Sequence, residues 1–310
     1  MGRRRRKRGG ASSGGDNSEQ KLQQLTERLA DYTPVQPDQR IRLETTPTDL
    51  TGRVIDLIAP IGRGQRVLVT SPPKAGKTLM LQAISKAVAL NHPDIHQMAL
   101  LVDERPEEAT DFKRNLSVPV FASTTDRGPK EHIRLAERVF VEALERLYNG
   151  EDVLILLDSI TRLARAYNTV HGGSSRTLSG GVAAGALERP RQLFGVARNF
   201  EEHGSVTIVA TALIDTGSRM DEVIFQEFKG TGNSEVVLDR RLAERRLFPS
   251  VDIASSGTRR EDLLQDAIEQ EKVANMRRKL SDMGDFDKLE WLLKSMRKTR
   301  TNLELLKSNF

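Results

Sequence analysis

The chain of 310 residues contains no cysteine. That absence excludes a disulfide framework, a thiolate metal site and a cysteine nucleophile. It is compatible with a reducing cytoplasm, the expected location. No apolar run approaches the ~18 residues of a membrane span, so no membrane partner is expected. The N-terminus is basic but has no apolar segment behind it, which excludes a secretory signal. Aromatic residues make up only 5% of the chain. Ahead of Tyr32 there is no aromatic-rich set of strands on which bases might stack. No internal repeat is present.

What remains has ordinary globular proportions, 37% hydrophobic and 29% charged. The length suits two domains or one large α/β domain with extensions. The net charge of +5 is unevenly placed. Residues 1–16 hold six cations, Arg3 to Arg6, Lys7 and Arg8, against one anion, Asp16. The rest of the chain is balanced, so any nucleic-acid contact there must come from local charge placement.

Residues 1–19 are Arg-, Gly- and Ser-rich and are expected to be disordered. The basic run suits either binding of RNA or another polyanion or a solubilising tail. Residues 20–45 read as a short helix and a connector. Leu22, Leu25 and Leu29 form one helical stripe over 20–31, and two prolines punctuate 32–39. From about residue 46 to 310, short apolar strands alternate with longer helical stretches. Strands are expected at 66–70, 98–102, 153–157 and 206–211. Helices are expected over 77–90 and along the stripe from Ile133 to Leu147. The continuous apolar run Val153 to Leu157 is that of a strand buried on both faces. The alternation predicts an α/β fold, a mostly parallel sheet flanked by helices. Leu289, Leu292, Leu293 and Met296 predict a C-terminal helical extension.

Ser71-Pro-Pro-Lys-Ala-Gly-Lys-Thr78 follows a strand and opens a helix, the context that gives a phosphate loop its meaning. Backbone N–H groups from Ala75 to Thr78 wrap a β-phosphate, and the helix N-terminus adds its partial positive charge. Lys77 reaches the β- and γ-phosphates, and the Thr78 hydroxyl suits Mg²⁺. Ser71 stands where the general motif has its first glycine. Asp158 ends a buried strand, where open α/β sheets bind ligands, and fits the Mg²⁺ shell. Asp103-Glu104-Arg105 follows another strand. Glu104 suits a general base for the attacking water, and Arg105 suits a nucleotide contact or a holder of that Glu. These features imply an NTP-hydrolysing motor or switch, without saying what the hydrolysis drives.

Several longer strings resemble the bacterial transcription termination factor Rho family. They are Pro72-Pro-Lys-Ala-Gly-Lys-Thr78, Val102-Asp-Glu-Arg-Pro-Glu-Glu108, Leu156-Leu-Asp-Ser-Ile-Thr-Arg-Leu-Ala-Arg-Ala-Tyr-Asn168, Ala212-Leu-Ile-Asp-Thr-Gly-Ser218 and Glu227-Phe-Lys-Gly-Thr-Gly-Asn233. The resemblance runs from about Tyr32 to Thr301. It implies a RecA-like ATPase that forms a homohexameric ring, moves along single-stranded RNA, unwinds RNA–DNA hybrids and acts on transcribing RNA polymerase. Carried over, it implies ATP contacts from Gly62, Arg63, Gly64, Gln65, Arg66 and Val67, and from Lys74, Ala75, Gly76, Lys77, Thr78 and Leu79. Glu104 is implied as catalytic base, Arg105 as a nucleotide contact and Asp158 as the Mg²⁺-side acid. Phe248 is implied to stack near adenine, Arg259 to act as an arginine finger from a neighbouring subunit, and Arg246 to be a second interface arginine.

Thr177, Leu178, Ser179, Gly180 and Gly181 match a loop that lines an RNA channel, and Arg219 matches a basic channel position that is usually lysine. Arg176 likewise replaces a lysine, Ala183 an aspartate and Glu188 a histidine. These departures bear on RNA grip rather than on ATP hydrolysis. The family's OB-fold, a small five-stranded barrel, does not fit into the residues ahead of Tyr32, so a motor without that domain is expected. The alternative readings are a Rho-like ATPase without termination activity and another RecA-like ring ATPase.

Overall fold

The computed structural model describes residues 15–171 and 179–309. The basic run of the tail, Arg176, Thr177 and Leu178 lie outside the described residues. The strands in chain order are β1 (Pro34–Val35), β2 (Arg40–Ile41), β3 (Ile61–Gly62), β4 (Arg66–Ser71), β5 (His96–Glu104), β6 (Val120–Thr124), β7 (Val153–Asp158), β8 (Asn199–Phe200), β9 (Val206–Leu213), β10 (Ser234–Val237) and β11 (Gly257–Thr258). Seven of them form one sheet in the order β11-β10-β4-β9-β7-β5-β6. Every pairing in it is parallel except that of the edge strand β11 with β10.

Parallel strands need crossovers, and these are helical. The helices are α1 (Gly15–Arg28), α2 (Leu50–Ile58), α3 (Lys77–Asn91), α4 (Pro106–Asn115), α5 (Pro129–Tyr148), α6 (Ile160–His171), α7 (Glu188–Gly195), α8 (Arg219–Thr231), α9 (Arg240–Glu244), α10 (Ala267–Ser281), α11 (Asp285–Arg297) and α12 (Asn302–Asn309). Alternate residues of the strands serve opposite faces, as the pleat requires. Leu154, Leu156, Val67 and Val69 point into a core shared with α2, α3 and α10 to α12. Val153, Ile155, Leu157 and Leu68 point into a second core under α1 and α5 to α8. All six residues of β7 are buried, which is why its sequence is an unbroken apolar run up to Asp158.

The first helix begins at Gly15, earlier than the expected 20–31, so residues 15–19 of the expected disordered tail are helical. The helix ends at Arg28, and Leu29–Asp31 is a 3-10 turn. The Leu22 and Leu29 stripe is buried as its spacing requires. This helix packs on α5, and the Tyr148 hydroxyl donates to the Leu25 carbonyl at 2.6 Å.

The C-terminal helices are tied to the sheet layer through a buried cation. Arg53 on α2 is fully buried. Its guanidinium donates to Asn302 Oδ1 at 3.1 Å, to the Met296 and Thr299 carbonyls at 2.8 and 2.9 Å, and to Thr299 Oγ1 at 2.9 Å. Burial lowers the Arg53 pKa, and Glu44 opposes that shift from 3.4 Å. Removing the donors orphans several buried acceptors. Arg53→Met is therefore expected to lower unfolding stability by about 3 kcal/mol. Chemical denaturation checks this against Leu303→Ala, an exposed control expected to move stability by less than about 0.5 kcal/mol.

Candidate active site

The C-terminal ends of parallel strands share one edge of the sheet, and the connections after β4, β5 and β7 meet there. The β4–α3 connection turns sharply: Lys74 has φ 66° and Gly76, which caps α3, has φ 96°. Glycine adopts that second value without steric penalty. The turn aims the first N–H groups of α3 and the Lys77 side chain at the edge, with Thr78 next in the same first helical turn. Ser71 is buried, and its hydroxyl donates to the Pro72 carbonyl at 3.0 Å. The replacement of the motif's first glycine is thus absorbed within the loop.

Lys77 Nζ lies 2.7 Å from Glu104 Oε1 and 2.8 Å from Asp158 Oδ2, with Glu108 Oε2 at 3.8 Å. Glu104 is 1% exposed and Asp158 is fully buried. Burial works against the ammonium charge, but Asp158 and Glu104 outweigh it and raise the Lys77 pKa. Burial first, and then the neighbouring Asp158 charge, hold Glu104 well above the ordinary carboxylate range. Its second oxygen, Oε2, is buried and makes no hydrogen bond to the protein. An acceptor with a raised pKa and a free lone pair is equipped to take a proton from water.

The sequence reading missed the residues that hold this cluster. Thr211 Oγ1, from β9, donates to Asp158 Oδ1 at 2.6 Å. Arg162 on α6 lies 3.4 Å from Glu104 Oε1 and donates to the Asp103 carbonyl. Asp103 has φ 55°, and the β5–β6 register shifts between Val102 and Glu104. This bulge turns Glu104 into the site. The acidic run Asp103-Glu104 was the only sequence signal for it. Contacts between residues so far apart in the chain leave no periodic trace.

Phe248 sits against the loop, its ring 3.6 Å from where a Gly76 Cβ would be, and is 39% exposed. Arg246, two residues before it, is exposed with φ 60°. Arg105 is exposed at the start of α4, and Leu79 is exposed on α3. Lys74 is exposed and Ala75 buried within the loop.

Gly62 to Val67 do not join this group. They lie at the opposite end of β4, about 17 Å from the phosphate loop at ~3.3 Å per strand residue. Their side-chain donors are committed there. Arg63 pairs with Asp152 and, at 2.6 Å, with Asp94. The Gly64 N–H donates to Thr207 Oγ1 at 2.9 Å, and Gln65 Nε2 donates to Asn233 Oδ1 at 2.8 Å. Arg66 donates to the Thr231 and Ala197 carbonyls at 2.9 and 2.8 Å. Gly62 and Val67 are buried. The segment therefore lies apart from the chain's own phosphate loop, because nearness in sequence along a strand is not nearness in space. Arg259 lies at the same far end. Its N–H donates to the Asn233 carbonyl at 2.9 Å, and the Asn233 N–H donates to the Arg66 carbonyl at 3.1 Å. The Arg259 side chain is exposed, and burial together with Arg198 and Arg259 lowers the Arg66 pKa.

Two of the expected polymer-contacting elements do come together. Ser179–Gly181 is a 3-10 turn with φ 73° at Gly180 and 79° at Gly181. A Cβ on Gly180 would lie 2.9 Å from Val223 Cγ2 and 3.0 Å from the Arg219 carbonyl. Arg219 opens α8 behind its cap Ser218 and is exposed.

Residues 52–258 match the ATP synthase alpha/beta family, nucleotide-binding domain. Solved structures give the same fold. An ATPase of the type III secretion system of pathogenic bacteria superposes with TM-score 0.73 at 23% identity, covering 89% of this chain and 85% of that one. The class is thus a RecA-like P-loop ATPase, and the chain is an ATP hydrolase. Transcription termination factor Rho of Cereibacter sphaeroides is 53% identical over 90% of this chain and 67% of its own length. That of Pseudomonas aeruginosa is 51% identical over the same shares. That of Mycobacterium leprae is 54% identical over 88% of this chain but 45% of its own length. The chain belongs to the Rho family and spans about two thirds or less of these relatives.

Lys77→Ala is expected to abolish ATP turnover, read by phosphate release; retained turnover would remove the phosphate-loop assignment. Glu104→Gln is expected to lower kcat by about 10²–10⁴-fold. The pH dependence follows from the raised Glu104 pKa. The base works only when ionised, so parental kcat should fall as pH drops, starting above the pH at which an ordinary glutamate titrates. A parental kcat flat through that range would contradict Glu104 as the base.

Proposed function

We propose that the protein is an RNA-dependent ATPase of a homohexameric ring that translocates along nascent RNA and acts on transcribing RNA polymerase in the cytoplasm. Residues 46–310 form its motor. The observation that carries the reading is the separation of Arg259 from its own phosphate loop along β4. An exposed arginine at the far end serves a nucleotide only across a subunit boundary. The surface it lies on differs from the one that holds Lys77, and such head-to-tail contacts close into rings. Gly62 to Val67, at the same far end, then belong to the boundary with the neighbour's nucleotide. Phe248 belongs to the nucleotide bound by its own chain, its ring offered to adenine, and exposed Arg246 serves as the second interface arginine.

The residues present fit a Mg²⁺ that arrives with ATP. Among the described residues no group of three or more acidic or imidazole ligands forms a protein-only cage. The Thr78 hydroxyl would hold the ion directly and buried Asp158 through water, the sparse protein ligation usual for Mg²⁺. When bound, the ion neutralises charge on the phosphate oxygens. The protein does the rest. Lys77 leaves its carboxylates for the β- and γ-phosphates, Glu104 accepts a proton from the attacking water, and Arg105 holds the nucleotide. Arg259 of the neighbour meets the charge that develops in the transition state.

On the polymer side, Gly180 and Gly181 let a sugar-phosphate chain approach the backbone, and Arg219 beside them supplies charge. Thr177, Leu178 and Ser179 complete that loop. No helix among the described residues is long and apolar enough to cross a membrane.

Arg259→Ala is expected to leave ATP binding near normal and to lower hydrolysis by ~10³-fold or more. Mixing Arg259→Ala with Lys77→Ala subunits should restore partial turnover, because some interfaces then pair an intact loop with an intact finger. No recovery on mixing would contradict a site shared between subunits. Arg219→Ala should weaken RNA binding across sequences and reduce the slope of log affinity against log salt by about 1. An unchanged slope would remove Arg219 from the RNA path.

A further inference from the structure

One helix touches both the ATP cluster and the polymer loops. Helix α6 starts two residues after Asp158, and its twelve residues span about 18 Å at ~1.5 Å each. Thr161, Arg165 and Asn168 fall at i, i+4 and i+7, one face of the helix. Each makes a hydrogen bond to the chain around β9 and α8. Thr161 Oγ1 accepts from the Leu213 N–H at 2.9 Å. Arg165 Nε donates to Asp221 Oδ1 at 2.7 Å, and Asp221 also accepts from Thr216 Oγ1 at 2.5 Å. Asn168, 9% exposed, makes the last connection. Its Oδ1 accepts from the Ala183 N–H at 2.7 Å, and its Nδ2 donates to the Gly181 carbonyl at 3.2 Å and to Met220 Sδ at 3.7 Å. Near the other end of the same helix, Arg162 lies 3.4 Å from Glu104 Oε1.

We propose that Asn168 is a positioning residue that couples the ATP site to the polymer loops. Its single amide holds the C-terminal end of the glycine turn, at Gly181 and Ala183, and touches Met220 at the start of α8, which carries Arg219. Because Arg162 on the same helix lies against Glu104, a displacement of α6 at the ATP cluster carries the turn and the start of α8 together. A leucine of similar size fills the space but makes none of these hydrogen bonds. The Asn168 side chain is nearly buried and its amide is committed to Gly181, Ala183 and Met220, so its removal should act on coupling. This inference rests on the RNA-dependent ATPase reading and adds to it a specific residue.

The test compares the parent, Asn168→Leu and Asn168→Asp. The aspartate keeps the acceptor for Ala183 and loses the donor to Gly181. ATP turnover is measured without RNA and with saturating single-stranded C-rich RNA, alongside ATP affinity and thermal midpoint. Asn168→Leu is expected to hold basal turnover within about twofold while the RNA-stimulated ratio falls about tenfold, within the ~5–150-fold range of ordinary coupling energies. Asn168→Asp should fall between the two, and it carries the test if the leucine variant does not fold. A stimulation ratio unchanged in a folded variant overturns the inference while leaving the RNA reading intact. Basal and stimulated turnover falling in proportion also overturns it, because that marks a purely structural role. A parent unmoved by RNA overturns the RNA reading and this inference with it.

Discussion

A single ammonium group, Lys77 Nζ, holds two buried carboxylates at the sheet edge. Glu104 and Asp158 come from different strands and repel each other, and each is costly to bury alone. Lys77 offsets that cost, and it reaches both only because the phosphate loop, β5 and β7 end on the same edge. In the proposed reaction an arriving triphosphate competes for the same cation and so frees the carboxylates for proton acceptance and for the metal shell.

Strand β4 carries the second constraint. One end delivers the phosphate loop and the other is bound to the segment carrying Arg259. Between these ends runs a buried strand, so within one chain Arg259 and the phosphate loop stay a strand's length apart. Helix α6 carries the third. It leaves the ATP edge beside Asp158 and reaches the glycine turn through Asn168, so one helix touches both.

Much of this was legible in the sequence, for identifiable reasons. Val153 to Leu157 announced a doubly buried strand because nothing polar interrupts it. The phosphate loop announced itself by its place between a strand and a helix. Strands β6, β10 and β11 were not legible, being short and only partly buried. Gly62 to Val67 stand a strand's length from the phosphate loop, a separation that closeness in sequence does not reveal. Thr211, Arg162 and Asn168 were passed over because their roles depend on partners elsewhere in the chain. Of the three, only Asn168 falls on the i, i+4, i+7 polar spacing of α6, which reads equally well as a solvated helix face.

The most direct test of the account is steady-state ATP hydrolysis with and without single-stranded C-rich RNA, at two salt concentrations. The account predicts strong stimulation by RNA that weakens as salt rises, because phosphate contacts release counterions. Basal turnover indifferent to RNA at both salts would contradict it and leave an ATPase with no coupling to a polymer.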